Sequence, residues 1–209
     1  MKKSQKIRHL VFSFSLILII TAAYNCKNKR EKQSGEKNIP TAIQENNMDI
    51  VETFLDAAMN GDLNKVKQIV RNGMDVNTAG VQGRTALMLA AYNGHTDIVK
   101  YLLEKRATVN VLDDMGQSAL IYAASGPFPE TVKVLLDHKA DPDIVAKGDG
   151  WTALMFAAAE GQLEVVKVLL AYGANPLIRE KDGDDAESFA RKNGHTDVAK
   201  YLHNFVPKK

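Results

Sequence analysis

Apolar and polar positions recur along residues 50–205 with a period of 33 or 34 residues. One alanine marks the period in every copy, and its spacings are 33, 33, 34 and 33 residues, at Ala57, Ala90, Ala123, Ala157 and Ala190. A period of this length is typical of stacked repeats, in which each unit is one supersecondary motif that packs on its neighbours.

The clearest copy, residues 150–182, predicts two antiparallel helices and a polar connection. Thr152 can cap the first helix, because its hydroxyl can accept a hydrogen bond from a free backbone N–H. A second helix begins near Leu163, where apolar residues at three- and four-residue spacing give it one buried side. Gly173 predicts a left-handed stop, and residues 175–183 predict a turn or hairpin that projects from the stack.

Three segments share the pattern Thr/Ser-Ala-Leu-x-x-Ala, and they begin at Thr85, Ser118 and Thr152. They resemble the Thr-Pro-Leu-His-x-Ala signature of the ankyrin repeat. Apolar residues replace the signature histidine in all three, so apolar packing must replace any polar network that the histidine would make. The resemblance covers residues 50–205. It implies an all-α fold, an ankyrin-repeat solenoid of helix–turn–helix units with β-turn or hairpin fingers, in which three full repeats lie between two degenerate caps.

The second helix ends at glycine in only some of the repeats. Gly73 and Gly173 suit a left-handed stop, whereas Arg106 and Lys139 occupy the corresponding positions in the middle repeats. A left-handed conformation costs a residue with a Cβ atom roughly 1–2 kcal/mol. We therefore expect the middle repeats to be less stable than the best one.

The third repeat is irregular at its turn and at its finger. Residues 125–129, Ser-Gly-Pro-Phe-Pro, contain two prolines that stiffen the turn, and residues 145–149 carry one extra residue. These changes are compatible with a binding feature of this protein, and equally with the loop variation that surface connections tolerate.

Residues 1–25 differ in composition from the repeats. Four basic residues precede an apolar run from Leu10 to Ala23, without an acidic residue among them, which is typical of a secretory signal peptide. The run is shorter than the about 20 residues that a membrane span needs. Removing the segment changes 27 basic against 25 acidic residues to 23 against 25, so the net charge falls from +2 to −2.

Cys26 is the single cysteine and follows the apolar run closely. A bacterial lipoprotein signal places its lipid-bearing cysteine at this point, and residues 23–26, Ala-Tyr-Asn-Cys, are similar to such a box. We therefore expect an exported protein of the bacterial cell envelope, lipid-anchored at the membrane periphery or in the periplasm. A surface thiol near the terminus and ordinary cleavage after Ala23 are the alternatives.

The predicted organisation follows from these segments. Residues 26–47 are polar and cannot bury enough apolar surface to fold alone, which favours a flexible linker. The basic residues of this linker could contact anionic headgroups, although a solvated charge run is more common. The boundaries are 1–25 for the signal peptide, 26–47 for the linker, 48–82 for an N-terminal capping repeat, 83–115, 116–149 and 150–182 for full repeats, and 183–209 for a C-terminal capping repeat.

Motifs for catalysis, metals and nucleic acids are absent from the sequence. There is no His-Glu-x-x-His, paired cysteine, Gly-x-Ser-x-Gly or phosphate-binding loop. The densest carboxylate cluster, within residues 182–187, lacks the spacing of a calcium loop and favours a solvated cap. The family resemblance implies that the rings of His95 and His195 satisfy backbone groups. No basic stripe with interleaved aromatic residues indicates a nucleic-acid partner. We therefore predict a protein that is not an enzyme and needs no cofactor or metal.

The resemblance implies that another protein binds in the concave groove formed by the finger tips and the ends of the first helices. Tyr92 and Trp151 are the expected anchors, followed by Arg84, because aromatic residues and arginine dominate binding hot spots. For Trp151, packing on its neighbours is an equally good interpretation. The partner-binding residues implied are Gln82, Arg84, Tyr92, Asn93, Asp114, Met115, Gln117, Ser125, Asp149, Trp151, Glu160, Lys181 and Asp182.

We expect a monomer that binds its partner without catalysis. An immunity or inhibitor protein that blocks one enzyme is an alternative to a scaffold with several partners. An enzyme with an unrecognised site is the less favoured alternative.

Overall fold

The structure, a computed structural model, describes residues 41–205, with side chains from Met48 onward. The predicted signal peptide, Cys26 and the linker up to residue 40 lie outside the described residues, as do residues 206–209.

The described part of the chain consists of α-helices in pairs, one short 3₁₀ helix at Val81–Gly83 and turns, with no β-strand in residues 41–205. This confirms the predicted all-α repeat solenoid. The helices are α1 Thr41–Met59, α2 Leu63–Arg71, α3 Ala86–Tyr92, α4 Thr96–Glu104, α5 Ala119–Ala124, α6 Pro129–Asp137, α7 Ala153–Ala159, α8 Leu163–Ala171, α9 Ala186–Asn193 and α10 Thr196–Phe205.

The helices form two layers, because each packs against its partner in the pair and against the equivalent helix of the next repeat. Helices α3, α5, α7 and α9 form the first-helix layer, and α2, α4, α6, α8 and α10 form the second-helix layer. Four of the five recurrent alanines lie in the first-helix layer, the fifth, Ala57, lies in α1, and all five are buried. Their small side chains let neighbouring first helices approach closely, as a densely packed interior requires.

Helix α1 begins at Thr41, so the linker predicted over residues 26–47 is wrong for residues 41–47. Met48 and Ile50 are exposed, whereas apolar side chains in the second half of α1, including Phe54 and Leu55, are buried in the core. They anchor the helix, and the good helix formers Ala42, Gln44 and Glu45 allow it to continue towards the N-terminus.

Each first helix from α3 onward has a side-chain cap. The cap oxygen accepts a hydrogen bond from the backbone N–H three residues later, at 3.0–3.4 Å, in Thr85, Ser118, Thr152 and Asp185. The sulfur atoms of Met88 and Met155 in turn accept from the cap N–H groups at 3.5 Å. The methionines that replace the signature histidine thus complete the caps as well as filling the core.

The prediction of left-handed stops without glycine is confirmed. Arg106 and Lys139 have φ angles of 67° and 68°, and Gly173 has a φ angle of 88°. Two middle repeats therefore carry backbone strain that the fourth repeat avoids.

Neighbouring repeats are joined by side chains that bind a helix end. Asn93 Nδ2 donates to the Met59 carbonyl at 2.6 Å, and His95 Nε2 lies 3.0 Å from the same oxygen. Asn193 Nδ2 makes the equivalent bond to Ala159 at 2.8 Å. These bonds satisfy carbonyl groups that have no partner within their own helix. His95 contacts backbone as predicted, but the backbone belongs to the preceding repeat.

Phe128 occupies the position of His95 in the irregular third repeat. Its ring lies against Gly94 and Gly126, and a Cβ atom at either glycine would overlap the ring. The Ser-Gly-Pro-Phe-Pro turn therefore replaces a polar contact between repeats with an apolar one.

The fingers form a row joined by backbone hydrogen bonds. Gln82 O accepts from Asp114 N at 3.0 Å, Met115 O from Lys147 N at 2.8 Å, and Asp149 O from Lys181 N at 3.1 Å. Each bond links one finger to the next, so the finger tips have fixed neighbours.

One finger is longer than the others. In its neighbour, Asp113 N donates to Gln117 O, whereas here Ala146 N donates to Trp151 O, one residue further along. The tip holds the extra residue of the 34-residue spacing, and the helices on both sides keep their packing.

Replacing Arg106 or Lys139 with glycine should raise the free energy of unfolding by about 0.5–1 kcal/mol each. Relief of the left-handed strain outweighs the greater entropy that glycine gives the unfolded chain. Urea denaturation of the single variants measures the effect. Gly173→Ala is the matched control and should be destabilising, because a Cβ there meets no atom within 4 Å and only the backbone conformation opposes it. A loss of stability in both glycine variants would contradict the presence of backbone strain at Arg106 and Lys139.

Candidate protein-binding surface

A row of aromatic side chains runs along the first helices. The residue four places after the cap is half-buried in every repeat from the second onward, and it is Leu89, Tyr122, Phe156 and Phe189 in chain order. Equivalent positions of stacked repeats lie side by side. The surface between the fingers and the first helices, here called the groove, therefore has an apolar, largely aromatic floor.

Trp151 lies at the corner where a finger meets this floor. Its ring centroid is 4.9 Å from that of Phe156 and 4.2 Å from that of Phe189, in tilted arrangements. Packing on its neighbours is thus established for Trp151. The side chain is still only partly buried, so the cluster keeps an exposed aromatic surface of the kind that anchors binding.

Tyr122 and Tyr92 form a second aromatic cluster, and Arg84 lies beside it. The Tyr92 and Tyr122 rings meet edge to face at 6.0 Å, and the Tyr122 hydroxyl donates to Asp113 Oδ2 at 2.8 Å. Burial and this hydrogen bond raise the pKa of Tyr122 to about 12, although the nearby Arg84 charge opposes the shift. Arg84 Nε is buried and has no hydrogen-bond partner among the described residues.

Two buried carboxylates fix the finger bases. Asp113 Oδ1 accepts from the N–H groups of Met115 and Gln117 at 2.9 and 2.8 Å, and Glu180 Oε1 accepts from those of Asp182 and Asp184 at 2.9 and 3.0 Å. Ala146 is the equivalent residue of the longer finger and has no carboxylate. The finger that carries Trp151 is therefore the one held by the fewest bonds of this kind in residues 107–184.

The structure places most of the predicted partner-binding residues at the groove. Tyr92 and Met115 are exposed to 37% and 55%, and Arg84 and Trp151 are half-exposed. Further exposed residues of the fingers and first-helix ends are Gln82, Asp114, Asp149, Glu160, Lys181 and Asp182.

Three predicted residues have structural contacts instead. Asn93 binds the Met59 carbonyl at 2.6 Å, and Ser125 Oγ donates to the Tyr122 carbonyl at 2.8 Å. The backbone of Gln117 binds Asp113 on both sides. Their polar backbone or side-chain groups are therefore engaged within the stack.

Sequence analysis missed the floor of the groove. Tyr122, Phe156 and Phe189 are absent from the predicted site, because each belongs to the apolar pattern of its helix. The signal was present, since the three aromatic residues recur at spacings of 34 and 33 residues, one period apart. Aligning the repeats on their caps would have found them.

The acidic cluster near the C-terminus is occupied by ion pairs and a cap. Asp185 caps α9 and lies 3.1 Å from Arg179, while Glu187 pairs with Arg191 and Asp184 with Lys192. Among the described residues, no group of three or more histidine, cysteine or acidic side chains is arranged to hold a metal ion. None of the helices described in residues 41–205 combines the length and hydropathy that a bilayer crossing requires.

Comparison with known families identifies the repeats. The family model described as ankyrin repeats, in three copies, matches residues 54–146 and 127–207. No curated protein matches the chain.

Replacing Tyr122 with phenylalanine should reduce the pH dependence of stability in alkaline solution. The pKa of the Tyr122 hydroxyl is 10.0 in the unfolded chain and about 12 in the folded protein, so the folded state binds the proton more strongly. This contribution is complete below pH 10 and is lost as the pH rises towards 12. Urea denaturation across this interval should show a steeper loss for the wild-type protein than for Tyr122→Phe. Parallel curves would contradict the raised pKa of Tyr122.

Proposed function

The chain belongs to the ankyrin-repeat family, and from this premise we propose that it is an envelope protein of bacteria that binds another protein in its groove. Ankyrin repeats are generally protein–protein interaction modules and are typically not catalytic. The proposed partner lies along the fingers and the floor, and no cofactor takes part.

The observation that carries this proposal is the aromatic floor beside exposed finger tips. Trp151, Phe156 and Phe189 form one cluster, and Tyr92 and Tyr122 form another on the same layer. Partly buried aromatic side chains contribute large contact area at a small entropic cost, which suits hot spots of binding.

The proposed location depends on the N-terminal sequence. A basic start, an apolar run and Cys26 support export, followed by attachment of a lipid to the cysteine. The polar residues behind the cysteine would then separate the repeats from the membrane. The repeats would bind partners at the membrane periphery as a monomer.

Photo-crosslinking tests the proposed surface. A photoreactive residue in place of Met115, an exposed finger-tip residue, should form an adduct with a protein in the native cell. The same residue in place of Lys133, which is exposed in the second-helix layer, is the control and should not form that adduct. Adduct formation from Lys133 alone would move the binding site to the other side.

Tyr92→Ala combined with Trp151→Ala should lower the affinity for the crosslinked partner by more than ~2 kcal/mol, since both residues are proposed hot spots. Isothermal titration calorimetry measures the affinity, and circular dichroism verifies that the stack remains helical. Unchanged affinity in the folded variant would remove both residues from the site.

The mass of the intact protein isolated from the native cell tests the location. A chain that begins at Cys26 and carries added acyl mass is the expected result. A bare chain that begins at Tyr24 would indicate ordinary export, and a chain that begins at Met1 would contradict export.

A further inference from the structure

Charge is divided unequally between the two sides of the stack. The second-helix layer holds seven acidic and ten basic residues, whereas the first helices and fingers hold fifteen acidic and six basic ones. The net charges are therefore +3 and −9 with histidine neutral. The second-helix layer is counted over residues 62–72, 95–106, 128–139, 162–172 and 195–205, and the other side over the remaining residues of 48–194.

Three of the six basic residues of the groove side are paired within the fold. Arg179, Arg191 and Lys192 each form an ion pair with a carboxylate of the last repeat. By contrast, the side chains of Asp149 and Asp182 are exposed and form no ion pair among the described residues. Each ion pair cancels one acidic and one basic charge, so the net charge of the groove side remains −9, and Asp149 and Asp182 stay accessible beside the exposed Lys147 and Lys181.

The exposed carboxylates and the aromatic cluster lie on adjoining fingers. Asp149 precedes Trp151 by two residues in the longer finger, and the Asp149 carbonyl accepts from Lys181, the neighbour of Asp182. One partner segment could therefore contact an aromatic surface and two carboxylates together. The longer finger lacks the buried carboxylate of its neighbours, and backbone hydrogen bonds join it to the fingers on both sides.

We propose that the groove binds a basic segment of its partner, in which an apolar or aromatic residue packs on Trp151 and flanking lysine or arginine residues pair with Asp149 and Asp182. This inference rests on the proposed function and adds the chemistry of the partner to it. The field of the groove side attracts such a segment, and the opposite sign of the second-helix layer repels it, so the segment is steered to the groove. Arginine adds a further attraction, because a guanidinium binds aromatic faces as well as carboxylates.

Selection from a displayed library of short random peptides tests the proposal without knowledge of the partner. The full chain is the target, and the variant Asp149→Asn, Asp182→Asn is the counter-target that removes unwanted binders. Neither carboxylate makes a side-chain hydrogen bond or ion pair among the described residues, so the variant should fold normally. The control variant, Glu104→Gln with Asp197→Asn, changes the net charge equally but lies in the second-helix layer.

The enriched peptides should carry net positive charge and an apolar or aromatic residue. Their affinity, measured by fluorescence anisotropy, should fall by about three- to tenfold in the groove variant and stay unchanged in the control, since each exposed pair contributes modestly. The proposal would be overturned if no peptide is enriched, if the enriched peptides are neutral or acidic, or if both variants lose affinity equally. The crosslink from Met115 does not depend on partner charge, so an adduct there without a preference for basic peptides would retain the groove and reject the charge inference.

Discussion

No repeat of this chain can bury its apolar side alone, and every other feature depends on that constraint. A two-helix unit covers one side of its first helix with its own second helix, and only the next repeat covers the rest. The small alanines permit this contact, and Asn93 with His95 satisfies the carbonyl of Met59 at the end of the preceding helix. Stability therefore accumulates from one neighbour to the next, as in other solenoids.

The periodic pattern predicted most of the fold because the same local signals recur in every unit. Thr152 caps its helix as expected and Thr85 does the same at the equivalent position, while the left-handed stops at Arg106 and Lys139 follow from alignment alone. The start of α1 was not predictable in this way. Its polar first residues resemble a linker, and the burial of Phe54 and Leu55 further along holds the helix to the stack.

The groove was predicted in part. Exposed finger residues such as Met115 were found, because the family resemblance implies that the finger tips line the groove. The floor was missed, because a half-buried Phe156 has the same sequence signal as a fully buried residue. The separation of charge between layers is equally present in the sequence, but it becomes visible only when each residue is assigned to a layer. The position of each residue in the fold therefore reveals the groove floor and the charge separation, which the overall composition does not show.

In the longer finger, the length of the loop is independent of the packing of the core, although these two properties are coupled in most folds. Its extra residue is taken up at the tip, between Ala146 and Trp151, and the helices beside it keep their caps and their packing. Length and sequence at the tips can therefore change while the core remains the same. A lineage of such proteins can acquire new binding specificity through insertions of single residues at the finger tips. Each variant along that path remains folded and therefore open to selection.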